Sequence, residues 1–244
     1  MSEKAPTASA ASSPPWRRIA VAVLALLLLN GMLSFSTWWP TPGIVPDKRL
    51  APEFVGLWLL LLAAVAWRGA LSSRTLSALA LAYLLLVLGR YLDVTAPSLF
   101  GREVNLYWDG AQIPRFLWVT AQDFPWWLST GVVAVVLLLL WGLHRLLRWA
   151  IAVTAEHAVP HALRARWAWL ATAAATVLVA ANYAGVRETW PVVSKPVIPT
   201  YVRQADLLLT SLSAQRLKQV LPPSTTLQAA LAAPPGKALG TLGG

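Results

Sequence analysis

Not one of the 244 residues is a cysteine, which removes disulfide frameworks, iron–sulfur clusters and thiolate metal sites at once. Charge is scarce as well: Asp, Glu, Lys and Arg make up 12% of the chain, and only 10 residues are acidic. With so few carboxylates no paired-carboxylate site assembles, and charges inside the apolar runs are too few for an ion-coupled transporter. Histidine occurs three times, at His144, His157 and His161. No HExxH is present and no carboxylate cluster joins these histidines, so no metal site is expected. A nucleophile–base pair and a Gly-rich phosphate loop are also missing. Taken alone, this sequence carries no catalytic set.

What is abundant is apolar surface. Hydrophobic residues make up 57% of the chain and mean hydropathy is +0.57, a membrane-protein composition. The net charge of +10 comes from Lys and Arg dispersed between apolar runs rather than gathered on one face, so nucleic acid is not an expected partner. Most of the 14 Trp sit where those runs end, as rings at headgroup level do.

Spanning a bilayer takes roughly 20 apolar residues. Five segments qualify, at about Ile19–Trp39, Leu50–Trp67, Thr75–Leu92, Trp126–Leu146 and Trp167–Val186. The first follows Arg17 and Arg18 but ends in Trp38-Trp39-Pro40 without a small-residue cleavage site. It therefore reads as an uncleaved anchor rather than a secretory signal. With the N-terminus inside, Lys4, Arg17, Arg18, Arg68, Arg74, Arg145, Arg148, Arg164 and Arg166 fall on the cytoplasmic side. Only Glu3 and Glu156 oppose them. That asymmetry predicts an all-α, five-span bundle, N-in and C-out. The expected organisation is a disordered tail over 1–16, the spans over 17–190, a juxtamembrane connector over 191–221 and a flexible tail over 222–244. Tyr201–Leu221 has the pattern of an amphipathic helix, lying on the outer membrane face or against a soluble domain.

The densest chemistry lies between the third and fourth spans, in RYLDVTAPSLFGREVNLYWD, Arg90–Asp109. A connector needs only a few turn residues, yet this one carries Arg90, Asp93, Arg102, Asn105 and Asp109 together with Tyr107 and Trp108. Charges beside hydrocarbon pair with one another or with a ligand. Arg90 and Asp93, three apart, share a helix face: either they form a structural ion pair, or Arg90 holds an anionic lipid headgroup that Asp93 orients. Arg102, Asn105, Tyr107, Trp108 and Asp109 form either a headgroup cup or an aromatic belt with solvated charges. Ala96-Pro97 is expected to end the third helix, and Ile113–Val119 to form a short surface-lying one. Glu53 is expected to snorkel to the interface and Asn30 to bond across to another helix. The small pairs Ala171/Ala175, Ala180/Ala184 and Ala181/Gly185 are expected to be buried in the bundle.

The segments R-Y-x-D-V-T-A-P at Arg90–Pro97 and F-G-R-x-x-N-L-Y-W-D at Phe100–Asp109, with the five-span plan and an exit helix ending in Gln219-Val220-Leu221-Pro222, resemble the membrane portion of bacterial sulfatase-like hydrolase/transferases. Those belong to the alkaline-phosphatase superfamily, with lipoteichoic acid synthases and phosphoethanolamine transferases. The resemblance covers about Arg17–Pro223. It implies a following extracytoplasmic α/β domain with a Ser or Thr nucleophile and a divalent metal, so no cofactor is expected in this chain itself. Membrane lipids are the expected partners, with a periplasmic catalytic domain or partner protein beside them. The ending GKALGTLGG departs from the family pattern and points to a truncated or frame-shifted product, or an excised domain. A stand-alone scaffold that binds a partner through its outer loop is the other reading.

Overall fold

The computed structural model describes residues 15–38, 41–184 and 192–212. All but the end of the expected N-terminal tail, the last residues of the fifth segment and of the exit helix, and the tail over 222–244 lie outside these residues.

Apolar runs punctuated by Pro, Ser and Gly set the helices. Helix α1 (Pro15–Gly31) opens on a proline, whose missing N–H is no loss in a first turn. Helix α2 (Pro52–Arg68) opens the same way and stops at Gly69, whose φ of 71° an L side chain rarely adopts. Helix α3 (Ser73–Phe100) is capped by Ser72, whose hydroxyl accepts the Thr75 N–H, and ends at left-handed Gly101. Helix α4 (Leu106–Asp123) and helix α5 (Trp126–Val153) are separated by Phe124-Pro125. A π-helical turn, Thr154–Ala158, joins α5 to α6 (Val159–Arg164) without a break. Pro160 explains the widened turn, because it has no N–H to return to the carbonyl of Glu156. Helices α7 (Arg166–Tyr183) and α8 (Ile198–Leu212) follow. Two short strands, β1 (Ser36–Thr37) and β2 (Ile44–Val45), pair antiparallel with Ser36 opposite Val45.

The chain is thus mostly helical, and among the described residues two helices, Ser73–Phe100 and the continuous Trp126–Arg164, are long and apolar enough to cross a membrane. The core gathers Leu29 of α1 and Leu33 just after it, Leu61 of α2, Tyr83 and Leu84 of α3, and Leu147 and Ile151 from the second half of α5. The first half of α5 is different: Val132, Val133 and Val135 through Leu139 are all exposed.

Four local expectations are corrected. Helix α1 stops at Gly31 rather than running to Trp39, because the chain turns into the β1–β2 hairpin. Pro97 lies inside α3, which continues to Phe100; packing against α8 outweighs the proline's local preference. The surface helix α4 spans 18 residues with Pro114 inside it, longer than Ile113–Val119. On α7, Ala171, Ala180 and Ala184 are exposed, while Ala168 and Thr172 are buried. The Trp58 indole donates to the Thr172 hydroxyl at 3.1 Å, which turns that face, not the alanine stripe, toward α2.

Candidate functional site

One end of the helices is stitched to the two connectors that leave it. We call it the connector end: it holds the C-terminus of α1, the N-terminus of α2, the C-terminus of α3 and the start of α8. Asn30, at the end of α1, donates to the Arg49 carbonyl and accepts the Ala51 N–H, each at 2.9 Å. Its amide therefore fixes the returning connector instead of bonding across to another helix. Ser34 donates to the Asp47 carbonyl at 3.1 Å. Leu50 pairs in parallel with Val193: its N–H donates to Val192 and its carbonyl accepts from Ser194.

Glu53 is the organising carboxylate. It is 6% exposed, not snorkelling, because the connector over 192–197 covers it. One carboxylate oxygen accepts the N–H of both Val197 and Ile198. Those are the orphan donors that open α8, where a negative charge also meets the positive end of the helix dipole. Sequence reading passed over this role, although a lone carboxylate in the apolar stretch Leu50–Trp67 was its signal.

Arg90 and Asp93 share a face of α3 but take different partners. The buried Arg90 guanidinium donates to the Phe35 carbonyl at 3.0 Å and the Lys195 carbonyl at 3.3 Å. It thus ties together the two connectors, which already pair through Leu50 and Val193. Asp93 faces the Lys195 ammonium at 3.7 Å and accepts the Thr200 hydroxyl at 3.3 Å. Lys195 also reaches Glu103 at 3.9 Å, and Arg203 pairs with Glu103. Gln204 of α8 donates to the Val104 carbonyl at 2.6 Å. Asp93, Lys195, Glu103 and Arg203 form a charge-balanced chain that holds α8 against α3 and the loop after it.

Arg102, Asn105, Trp108 and Asp109 form a separate unit. Arg102 binds Asp109 in a two-pronged pair at 3.0 and 2.6 Å. Asp109 also accepts the Asn105 N–H at 2.8 Å, while Asn105 accepts the Trp108 N–H at 3.4 Å. This is reciprocal capping of the α4 N-terminus. The Tyr107 side chain lies outside the described residues; Trp108 is exposed. The structure therefore does not bring Arg90 and Arg102 onto one ligand position: one faces carbonyls inside, the other caps a helix.

The Arg102 hydrogen bonds hold the Asp109 carboxyl below the ordinary aspartate value of 3.8, with the Asn105 N–H adding to the effect; the same pairing raises Arg102. A carboxyl lowered in the folded state stabilises it above pH 3.8, and that contribution fades as pH falls through the lower folded value. A carbon-13 NMR titration of Asp109 should give a midpoint below 3.8 that moves up in Arg102→Ala. A midpoint unmoved by that substitution contradicts the pairing.

Between α3, the loop at Glu103-Val104 and α8 lies a cleft of about 560 Å³, counting its open side. Leu92, Pro97, Val104 and Tyr201 give it nearly apolar walls, and Asp93, Glu103 and Arg203 form its rim. Gly89 is required here: a Cβ at that position would lie 2.5 Å from the Tyr201 ring. The Tyr201 hydroxyl donates to the Leu85 carbonyl, so α8 leans directly on the α3 backbone. Sequence reading missed Lys195, Arg203 and Tyr201 as members of this site. Their mark, basic and aromatic residues around the start of an amphipathic helix, was visible but unassigned.

Set against known proteins, the chain matches no family model, no curated protein and no solved structure.

Proposed function

We propose that this chain is the membrane anchor and lipid-facing domain of a sulfatase-like phospho- or sulfo-headgroup transferase or hydrolase, the chemistry itself belonging to a separate α/β domain. In this reading α1, α2, α3, α5 with its continuation, and α7 are five spans, N-in and C-out, in a bacterial inner membrane. The connector end faces outward. The observation that carries the proposal is the seating of α8. Glu53 caps it, Asp93 and Lys195 brace it, and Tyr201 rests on a glycine of α3. A helix leaving a bundle needs so many fixings when whatever it carries must stand at a set place over the membrane. The continuous exposure of Val132–Leu139 suits contact with hydrocarbon.

A second reading, a scaffold that binds a partner protein through its outer loop, is favoured by the exposed Trp108, Phe116 and Trp118 on α4. The topology has a direct test. Reporter fusions after Arg74, Gln122, His161 and Gln219 should read in, out, in, out. A cytoplasmic signal at Gln219 sinks the anchor reading.

A further inference from the structure

We infer that the cleft between α3 and α8 is a binding site for one acidic phospholipid: its upper acyl chain lies on Leu92, Pro97 and Val104, and its phosphate meets Arg203 and Lys195. The inference rests on the membrane reading above and adds to it a place, a stoichiometry and a charge.

Depth is the first argument. Along a helix at 1.5 Å per residue, Gly89 stands about 24 Å from Ser73 and Pro97 about 36 Å. The hydrocarbon layer is about 30 Å thick. With Ser73 at one surface, the cleft straddles the opposite hydrocarbon boundary. Gly89 and Leu92 then lie on the tail side of that boundary and Pro97 on its headgroup side. The open side gives the second argument. Leu81, Leu85 and Leu92 fall on one face of α3 and all are exposed, so a chain leaving the cleft continues down an apolar stripe about 16 Å long, roughly one leaflet deep.

The rim supplies the third. Arg203 and Glu103 on the rim, and Lys195 beside it, which reaches Asp93 and Glu103 without lining the cleft, are each between 43% and 49% exposed, so water already weakens their pairing. An incoming phosphate can take both cations while Glu103 turns out to water, and a guanidinium suits a phosphate fork. Asp93 behaves differently, being 4% exposed and held by Thr200 as well. It keeps Lys195 in place when the lipid arrives. An uncharged lipid would leave the rim unused. A free phosphate would leave the apolar walls empty.

The full chain in detergent micelles, titrated with phosphatidic acid and read by native mass spectrometry, should retain one lipid per chain. Diacylglycerol with the same tails should bind at least tenfold more weakly, and excess inorganic phosphate should not displace the lipid. Arg203→Gln should weaken phosphatidic acid about tenfold and leave diacylglycerol unchanged. Val104→Trp, which fills the cleft, should weaken both lipids. Arg115→Gln, on exposed α4, should change neither. Should Val104→Trp fail to fold, Arg203→Gln decides alone, since its residue is half-exposed. Equal binding of the two lipids, or parental binding by both cleft variants, overturns the proposal. Those outcomes leave the reporter pattern intact, so a failed lipid site and a failed anchor reading are distinguishable.

Discussion

Arg90→Ala should lower stability by roughly 3 kcal/mol or more, the loss of two buried hydrogen bonds from a charged donor at about 1.5–3 kcal/mol each. The guanidinium is 6% exposed and donates to two carbonyls, Phe35 and Lys195, that belong to different connectors. Alanine leaves both without that donor and takes a positive charge from the neighbourhood of Asp93, Glu53 and Asp47. The thermal unfolding midpoint in detergent should fall, and trypsin should cut after Arg49, in the connector that follows Phe35, much faster than in the parent. Arg90→Lys should be intermediate, because a compact ammonium cannot fork to two acceptors as a guanidinium does. The sequence also allowed Arg90 a direct headgroup role. If Arg90→Ala keeps the parental midpoint and instead loses affinity for phosphatidic acid, that role stands and the clamp described here does not.

Glu53→Ala should be nearly as damaging. One buried oxygen accepts two backbone donors at the start of α8. Hydrogen bonds to a charged group contribute about 1.5–3 kcal/mol each, so roughly 3 kcal/mol or more is at stake. The loss should be local at first: α8 should become accessible to protease at Arg203 while α3 and α5 stay protected. Glu53→Gln keeps an acceptor and drops the charge, so it should recover about half of the loss. Equal protection of α8 in the parent and in Glu53→Ala would remove the capping role.

The two effects also mark the boundary between what is local in this sequence and what only the fold brings together. The helices at all five expected segments are legible because apolar runs bounded by Pro, Ser and Gly are local signals. Arg102, Asn105 and Asp109 stand out in the sequence as a polar cluster, but as a headgroup cup or a solvated belt; that they cap a helix start at Leu106 is shown only by the fold, since the local pattern places that helix no earlier than Ile113. Glu53 and Arg90 were misread or left open because their partners stand 144 and 105 residues away. No periodicity reports a contact over that distance. Pro97 is the converse case, where a correct local rule is overruled by α8 packing on the helix that contains it. Lys195 and Arg203 look like ordinary basic residues of a tail until the fold sets them opposite Asp93 and Glu103.

The span between Glu53 and Val197 has a consequence in time. The ribosome adds about 5–20 residues per second, so residue 53 waits roughly 7–30 s before its partner 144 residues on has been made. The pairing of Leu50 with Val193 waits as long. Contacts local to α3 and α5 form within microseconds of their synthesis. Assembly is therefore ordered by the chain itself: helices pack first, and the connector end closes last. Synthesis of the connector over 192–197, not the packing of any one helix, sets the earliest moment of closure.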